Sequence, residues 1–174
     1  MATGGESGGY HAFGVAMQAR LADQGIELTL MPTEGSVENA ALLEAAEVDL
    51  ALIQGGTQTQ GEHLRGLASL YFEPLWIFKR VEVSQAVTRL RELKGLRVSI
   101  GAPGSGTRAL AEELLMLNDL SFNAFLPLNT QEATQALLAN ELDVAFVVGG
   151  ATSPDISELL HADGIELVLS LIHI

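Results

Sequence analysis

The sequence predicts an α/β fold of two lobes, with parallel-type sheets that carry helices on both faces. Two observations lead to this prediction. Segments with the roughly 3.6-residue apolar period of helices alternate along the chain with short apolar runs typical of buried strands. A helix–turn–strand pattern also occurs twice, at residues 36–56 and 130–150. We therefore expect a first lobe at residues 1–80 and a second lobe at residues 81–174.

Turn residues separate the predicted helices and strands. Pro32 ends the first strand, the Gly55-Gly56 pair ends the second, and Gly95 has the position that follows a helix C-terminus. The predicted helices are 10–23, 36–47 with Ser36 as its cap, 84–94 with Ser84 as its cap, 107–117 after the turn at 102–107, 130–140 and 154–162. The predicted strands are 26–31, 48–53, 67–72, 75–80, 97–101, 124–128, 142–148 and 165–171.

The two copies of the repeat align without a gap, and the second begins 94 residues after the first. Each copy has a hydroxyl residue at its start, then a helix, an apolar strand and a Gly-Gly pair. Two similar lobes explain this pattern, and the alternative is that any two αβ units share it. The identical pairs include Glu38 and Glu132, Leu43 and Leu137, Ala45 and Ala139, Glu47 and Glu141, Asp49 and Asp143, and Ala51 and Ala145.

Charge and composition exclude several classes of partner. The formal net charge is −13 and the nine Lys and Arg residues form no stripe, so we expect no nucleic acid partner. Cysteine is absent, which removes disulfides, thiol catalysis and Cys-type zinc sites. The four histidines lack metal-type spacing, and we expect no metal and no cofactor. No apolar run reaches the roughly 20 residues that span a bilayer.

Catalytic motifs are also missing, so we expect a protein that is not an enzyme and has no catalytic residue. The sequence has no G-x-S-x-G element around a serine nucleophile, and it has no cysteine nucleophile. An enzyme on the same fold would need a general base near its site, for which the candidates by position are Glu6, Glu34 and His11.

The turn at residues 101–107 is a candidate binding element, because it follows a predicted strand and begins a helix. It nearly has P-loop spacing, but Thr107 stands where that motif needs lysine. It also fits the dinucleotide pattern, but the next strand ends in Leu128-Asn129, without the acidic residue that a ribose requires. What remains is an anion site made by the backbone N–H groups of Ser105, Gly106 and Thr107. The alternative is an ordinary hydroxyl cap beside flexible glycines.

Four polar residues form a candidate binding wall in the first lobe. Tyr10 follows the Gly-rich turn at 3–9 and offers a phenolic hydroxyl, Ser36 caps a predicted helix, and Asn39 follows three residues later. Gln54 ends a buried strand, where a polar side chain has little structural reason to lie. Ligands of open α/β sheets bind at the carboxyl ends of strands, so we expect both walls to face one cleft between the lobes.

Several motifs of this chain occur in the order seen in one family of binding proteins. They are Thr3-Gly-Gly with Gly9-Tyr10, Glu34-Gly-Ser-Val-Glu-Asn39, Asp49-Leu-Ala-Leu-Ile-Gln54, Leu67-Ala-Ser-Leu-Tyr71 with Glu73-Pro74-Leu75, and Gly104-Ser-Gly-Thr107. Across almost the whole chain this set resembles the TAXI family of solute-binding proteins, which serve tripartite ATP-independent periplasmic (TRAP) transporters. His11, Glu34 and the Gly55-Gly56 pair depart from the family pattern.

The resemblance implies a type II periplasmic-binding fold of the Venus flytrap kind, in which two lobes close around a small organic anion such as glutamate, glutamine or a related carboxylate. It further implies a periplasmic or extracytoplasmic location and the membrane transporter subunits of a TRAP system as partners. We expect a monomer, and we expect the chain to be a piece of a longer protein. The residues that the resemblance places around the ligand are Tyr10, Ser36, Asn39, Gln54, Ser105, Gly106 and Thr107.

Two other functions stay open at this stage. One is an enzyme that processes a small anion on the same bilobal fold. The other is the effector-binding lobe of a transcription regulator, which would carry a DNA-binding helix-turn-helix elsewhere in its chain. Arg108, directly after the 101–107 turn, is either a surface residue or a clamp for a carboxylate.

Overall fold

The computed structural model describes residues 1–6, 8–59, 61, 63–83, 87, 89–120 and 125–168. The chain divides into two compact units. Unit 1 is Met1–Phe72 together with the short segment Gly104–Gly106, and unit 2 is Glu73–Pro103 together with Thr107–Ile174. Within the described ranges, no helix is both long enough and apolar enough to cross a bilayer.

Helices and strands alternate over the described part of the chain, which confirms the predicted α/β class. The helices are α1 (Gly9–Ala22), α2 (Ser36–Glu44), α3 (Gly106–Leu117), α4 (Thr130–Leu138) and α5 (Pro154–His161), and a 3-10 helix covers Leu90–Leu93. The strands are β1 (Leu75–Arg80), β2 (Val98–Ser99), β3 (Val144–Val148) and β4 (Ile165–Leu167).

Unit 2 contains a mixed sheet that is covered by helices on both faces. Its strand order is β2-β3-β1-β4, with β2 parallel to β3 and β1 antiparallel to both β3 and β4. Because side chains alternate along a strand, Ile77 and Phe146 pack on one face with the buried side of α3. Their neighbours Phe78 and Ala145 pack on the other face with α4 and α5.

The expectation of parallel-type sheets is wrong for β1, which runs antiparallel to both of its neighbours. A strand that is buried on both faces has a nearly continuous apolar run whichever way it runs. The residues of β1 therefore indicated a buried strand but carried no information about its direction.

Extended segments of unit 1 meet through single parallel bridges. Ala2 pairs with Met31 on one side and with Ala51 on the other. The Ala2 N–H donates to Leu50 O at 2.9 Å, and the Leu52 N–H donates to Ala2 O at 3.1 Å. The predicted strands 26–31 and 48–53 are therefore extended and paired, but each pairs over too few residues to form a ladder. Instead of two sheets, the described residues contain one sheet, in unit 2, and this set of bridges.

The predicted strand at 67–72 does not form. Leu67 and Phe72 are 80% and 96% exposed, and no bridge involves this segment among the described residues. Apolar residues favour a strand only where a neighbouring segment supplies the hydrogen-bond partners of its backbone.

Parts of three other predicted elements fall outside the described residues. In the predicted 84–94 helix, the cap Ser84 lies outside them, and the described part is the 3-10 helix that precedes Gly95. In the predicted 124–128 strand, Ala124 lies outside them, and Leu126 forms a single parallel bridge with Ser99. Residues beyond 168 lie outside them as well, so the described part of the last predicted strand is β4.

The repeat reproduces the same helix and the same helix ending in both copies. Helices α2 and α4 begin at their predicted residues, and they end at corresponding positions, three and two residues earlier than predicted. After each helix, the chain turns through a left-handed residue, Ala46 with φ 56° and Asn140 with φ 64°. In both copies the next N–H, of Glu47 or Glu141, returns to the carbonyl of the residue five positions earlier. This pattern is a Schellman motif, and it sets the direction in which each copy leaves its helix.

Ala46 is in a conformation that glycine adopts with less strain, because the left-handed region brings a Cβ close to the backbone. We expect Ala46→Gly to raise the free energy of unfolding by about 0.5–1 kcal/mol, measured by urea denaturation. Asn140→Gly is the matched control, and its effect should be smaller because asparagine tolerates this region better than alanine. An equal gain in both variants, or a loss at Ala46, would contradict this explanation.

An ion pair in unit 2 joins the residues that precede two neighbouring strands. Arg97, before β2, donates to the Asp143 carboxylate through Nε at 3.1 Å, through Nη2 at 2.7 Å and through its backbone N–H at 2.8 Å. The side-chain hydrogen bond from Arg97 is the main reason that the pKa of Asp143 is lowered below its ordinary value. The bidentate geometry holds the ends of β2 and β3 in register.

A lowered pKa in the folded state means that ionised Asp143 stabilises the fold above the ordinary carboxyl pKa of about 3.9, and that this contribution is lost as the pH falls through the lowered value. We therefore expect Asp143→Asn to melt at a lower temperature than the wild type at pH 7, with the difference shrinking below about pH 4. Asp49→Asn, at the exposed corresponding position of the first copy, is the control. A difference that stays constant with pH would show that the ion pair is not its source.

Candidate functional site

Six of the seven predicted binding residues lie in unit 1, so every contact that they make with one another is internal to that unit. Thr107 is the exception, because it belongs to unit 2. The six are Tyr10 in α1, Ser36 and Asn39 in α2, Gln54 after the Ala51 bridge, and Ser105 and Gly106 at the start of α3.

Ser36 joins two of the other predicted residues. The prediction that it caps α2 is wrong, because Gly35 takes the N-cap position with φ 128° and Ser36 is the first helical residue. Its Oγ accepts a hydrogen bond from the backbone N–H of Gln54 at 2.9 Å and lies 3.5 Å from the Tyr10 hydroxyl oxygen. The glycine at the cap therefore leaves the serine hydroxyl to connect the chain at residue 54 with α1.

Asn39 is fully buried, and its amide holds three segments of unit 1 together. Its Nδ2 donates to the carbonyl oxygens of Thr3 and Leu52, the latter at 2.7 Å. Its Oδ1 accepts a hydrogen bond from Thr33 Oγ1 at 2.6 Å. Both N–H groups of the amide are therefore used on the protein itself. Asn39 therefore lies in the interior of unit 1, where it positions the backbone of the segments at Thr3 and Leu52.

The segment Gly104–Gly106 lies against the first turn of α2. The backbone N–H of Val37 donates to Gly104 O at 3.3 Å, and a Cβ at Gly35 would lie 3.5 Å from the Cα of Ser105. Gly104 has φ 84°, which glycine adopts without strain. The first residues of α2 and α3 thus come together in unit 1. A helix N-terminus has backbone N–H groups without partners in its own helix and a partial positive charge.

Within the Gly104–Gly106 segment, Gly106 lies closest to the rest of unit 1. A Cβ at this position would overlap Gln54 Oε1 and would lie 3.1 Å from Ser36 Oγ. A side chain at this position would therefore require the Gln54 amide to move. The sequence suggested that glycine lets a ligand approach the backbone, and the structure adds that two polar groups of the protein are already there.

Thr107 and Arg108 have partners within unit 2. Thr107 Oγ1 accepts a hydrogen bond from the backbone N–H of Val148 at 3.2 Å, which connects the start of α3 to the end of β3. Arg108 Nε donates to Glu112 Oε1 at 2.8 Å along α3. This pairing one turn along its own helix favours the interpretation of Arg108 as a surface residue over that of a clamp.

Two threonines contribute to the cluster although they were not selected from the sequence. Thr3 Oγ1 lies 3.3 Å from His11 Nδ1, and Thr33 Oγ1 both donates to Asn39 and accepts from the Gly35 N–H at 3.2 Å. Thr3 directly follows Ala2, and Thr33 comes two residues after Met31; Ala2 and Met31 are paired by a β-bridge in unit 1. A hydroxyl at the end of a predicted strand is the signal that would have identified them.

The hydrogen-bond donors of the cluster are neutral groups, and two carboxylate side chains lie beside them: Glu38 is in the first turn of α2 and accepts a hydrogen bond from the Glu34 N–H at 2.7 Å, and Glu34 lies against Gly104. Unit 1 has two basic side chains, of which Arg20 lies in the last turn of α1, at the opposite end from Tyr10, and Arg65 donates to Leu64 O. Among the described residues, no group of three or more His, Cys, Asp or Glu side chains is placed to hold a metal ion. Hydroxyls, amides and backbone N–H groups are therefore the donors that this part of unit 1 offers to a ligand.

The positioning role of Asn39 predicts a large loss of stability when its amide is removed. In Asn39→Ala, the Leu52 carbonyl loses its donor, the Thr3 carbonyl keeps only the 3.3 Å bond from Thr33 Oγ1, and the Thr33 hydroxyl loses Asn39 as its acceptor. Each buried polar group left unsatisfied costs about 1–3 kcal/mol. We expect the free energy of unfolding to fall by at least about 2 kcal/mol in urea denaturation.

Thr134→Val is the matched control, because Thr134 is also buried in a repeat helix but its Oγ1 has no hydrogen-bond partner among the described residues. This variant should be as stable as the wild type or more stable. Equal losses in the two variants would mean that burial, and not the amide bonds, determines the effect.

Solved structures with a similar fold include a regulatory domain and two binding proteins. The CcmR regulatory domain of Synechocystis PCC6803, in complex with 2-PG, has a TM-score of 0.60 and 16% identity over 96% of this chain and 78% of its own. An ancestral arginine-binding protein bound to arginine has a TM-score of 0.57 and 16% identity over 88% and 66% of the two chains. The periplasmic aliphatic sulphonate binding protein SsuA from Escherichia coli has a TM-score of 0.56 and 16% identity over 96% and 58%.

These likenesses show an α/β fold that resembles type II periplasmic-binding and effector domains. The chain spans between 58% and 78% of the lengths of these three proteins. The sequence pattern of one family matches residues 1–171, which is nearly the whole chain. The chain therefore belongs to the NMT1-like family.

Proposed function

We propose that this chain is the solute-binding part of a TRAP-type transporter of the TAXI kind and catalyses no reaction. Its ligand is a small organic anion such as glutamate, glutamine or a related carboxylate. The protein acts as a periplasmic or extracytoplasmic monomer and delivers the ligand to membrane subunits encoded separately. The ordered motifs from Thr3 to Thr107 support this assignment, as does membership of the NMT1-like family.

The observation that carries the binding role is the meeting of two helix starts with polar groups in unit 1. Gly104–Gly106 lies on the first turn of α2, and Gly106 faces Ser36 Oγ and the Gln54 amide. Backbone N–H groups at a helix start attract an anion without a lysine or arginine. The Tyr10 hydroxyl, 3.5 Å from Ser36 Oγ, is a further donor for the same ligand.

Neutral donors of this kind are sufficient for the expected affinity. Low-micromolar binding corresponds to about 8 kcal/mol. Hydrogen bonds to a charged group are each roughly twice as strong as bonds between neutral groups. Several bonds from the backbone and hydroxyls to one carboxylate, together with contacts to the rest of a small ligand, therefore supply that amount.

The structures of similar fold also support a small polar ligand. Their named ligands are arginine, aliphatic sulphonates and 2-PG, and a sulphonate is a small organic anion. At 16% identity the likeness shows the fold, and a small polar ligand is carried over from these proteins only as part of the proposal. The ordered motifs of the chain are the reason for proposing an amino acid or a related carboxylate as the ligand.

A second candidate function is the effector-binding domain of a transcription regulator. It is favoured by the CcmR regulatory domain, of which this chain covers 78%. The complete reading frame discriminates the two functions, because a regulator carries a helix-turn-helix domain, whereas a transport protein carries a secretory signal and has transporter genes beside it.

The proposed function predicts binding without turnover. We expect L-glutamate, L-glutamine or succinate to raise the melting temperature of the 174-residue chain, and chromatography after a long incubation to recover the compound unchanged. Gly106→Val should weaken the binding of the active compound at least tenfold in calorimetry, because the valine side chain fills the space beside Ser36 Oγ.

Gly66→Val is the control, since no atom lies within 4 Å of the added Cβ at this exposed glycine. It should bind with wild-type affinity. Conversion of the compound would instead support an enzyme that acts on a small anion. Full-strength binding by a folded Gly106→Val protein would remove the start of α3 from the site.

A further inference from the structure

We infer that two copies of this chain associate through the outer edge of unit 1, formed by residues 26–31 (the edge segment), in a reversible antiparallel pairing. This inference goes beyond the proposed function, which concerns the single chain that holds the ligand. That monomer is in equilibrium with a dimer, which forms as the protein concentration rises. The test needs no ligand, so its outcome is independent of the proposed function.

The edge segment is paired on one side only. The Thr29 carbonyl accepts a hydrogen bond from the Met1 amino group at 2.7 Å, and the Met31 N–H donates to Met1 O at 2.9 Å. Successive residues of an extended chain direct their backbone groups to opposite sides, so Leu28 and Leu30 face away from Met1. Among the described residues, the N–H of Leu28 and both backbone groups of Leu30 make no hydrogen bond. Such an edge favours pairing with another extended chain.

Two copies of the edge segment match each other when they run antiparallel with Thr29 on the two-fold axis. In this register Leu28 of each copy lies opposite Leu30 of the other, and each such pair exchanges two backbone hydrogen bonds. The Leu28 carbonyl already accepts a hydrogen bond from Gln18 Nε2 at 2.6 Å, and a carbonyl oxygen can accept a second one. Pro32 has no N–H and therefore limits the ladder to these two pairs.

Helix α1, which lies beside the edge segment, lacks the polar outer face of an ordinary surface helix. It contains no acidic residue, and Arg20 is its only arginine or lysine. The exposed positions of the helix include Ala12, Val15, Ala16 and Ala19. A helix that is apolar on all sides is normally buried. The exposed side of α1 is therefore the kind of surface that another protein chain covers.

An open groove of about 460 Å³ lies between α1 and the edge segment, with room for several side chains. Val15 and Ala22 line it from the helix, and Ile26 and Leu28 line it from the edge segment. Val15 is 47% exposed and Ile26 is 51% exposed. Pairing of the two edge segments brings the groove of one copy beside the groove of the other. Apolar side chains of both copies are then removed from water, which favours association.

The net charge of −13 opposes the association of two copies, but little of this charge lies on the proposed interface. Glu27 is the only acidic residue of the edge segment, and Asp23 and Glu34 flank this surface at exposed positions. In the proposed register Glu27 lies opposite Met31, so the two Glu27 residues are four positions apart along the ladder. That separation is about 14 Å, longer than the screening length of about 8 Å at physiological salt. Because salt screens the remaining long-range repulsion, we expect the dimer to become tighter as the salt concentration rises.

Charges placed on the two-fold axis test the register. Sedimentation equilibrium of the 174-residue chain, without any ligand, should show a monomer–dimer equilibrium. Thr29→Lys and Thr29→Glu each bring two like charges directly opposite one another, so each variant should weaken the dimer at least about threefold. An equimolar mixture of the two variants should associate at least as tightly as the wild type, because lysine then lies opposite glutamate.

Thr59→Lys and Thr59→Glu are the matched controls, because Thr59 is also an exposed threonine and the changes in net charge are the same. These variants should shift the association only slightly, and mixing them should have no additional effect. Amide hydrogen exchange of the wild type examines the interface without any substitution. The N–H groups of Leu28 and Leu30 should exchange more slowly as the protein concentration rises, since pairing protects them.

Three results would overturn the inference. One is a chain that stays monomeric at every accessible concentration. Another is a dimer whose strength follows net charge alone, with Thr29→Lys tighter than the wild type and the mixture intermediate between the two variants. The third is a dimer in which the exchange of the Leu28 and Leu30 N–H groups does not change, because the interface would then lie elsewhere on the chain.

Discussion

The buried amide of Asn39 is the interaction on which the geometry of unit 1 depends. Its Nδ2 donates to the carbonyl oxygens of Thr3 and Leu52, which belong to neighbouring extended segments. Its Oδ1 accepts a hydrogen bond from the Thr33 hydroxyl. These segments are paired with each other by single bridges only, so a ladder of backbone hydrogen bonds does not hold them. A fully satisfied buried amide supplies the missing rigidity, because each of its bonds is expensive to leave unmade in the interior.

The two copies of the repeat use the same helix for different purposes. In the second copy, the position that corresponds to Asn39 is Ala133, which is buried in the apolar core beneath the sheet. That copy ends in β3, a strand with neighbours on both sides, and needs no polar side chain to hold it. The first copy lacks such a strand and has the polar cluster instead. The corresponding helix is therefore a packing element in unit 2 and part of a polar cluster in unit 1.

The parts of the structure that depend on neighbouring residues in the chain were predictable from the sequence. The repeat identified α2 and α4, and the Gly104–Thr107 turn identified the start of α3. The direction of β1 and the exposure of residues 67–72 were not predictable, because both depend on pairing between distant segments. The role of Ser36 was mistaken for a similar reason. A serine before a helix usually caps it, and only the three-dimensional structure shows that its hydroxyl meets Gln54 instead.

The proposed anionic ligand would have to be bound by a chain of net charge −13, and the donors that unit 1 offers it are hydroxyls, amides and backbone N–H groups. The field of the scattered surface carboxylates is screened over about 8 Å at physiological salt, whereas helix N–H groups act at hydrogen-bond distance. Under the proposed function, a carboxylate in unit 1 therefore depends more on the backbone donors beside it, and on the nearby carboxylates of Glu34 and Glu38, than on the total charge.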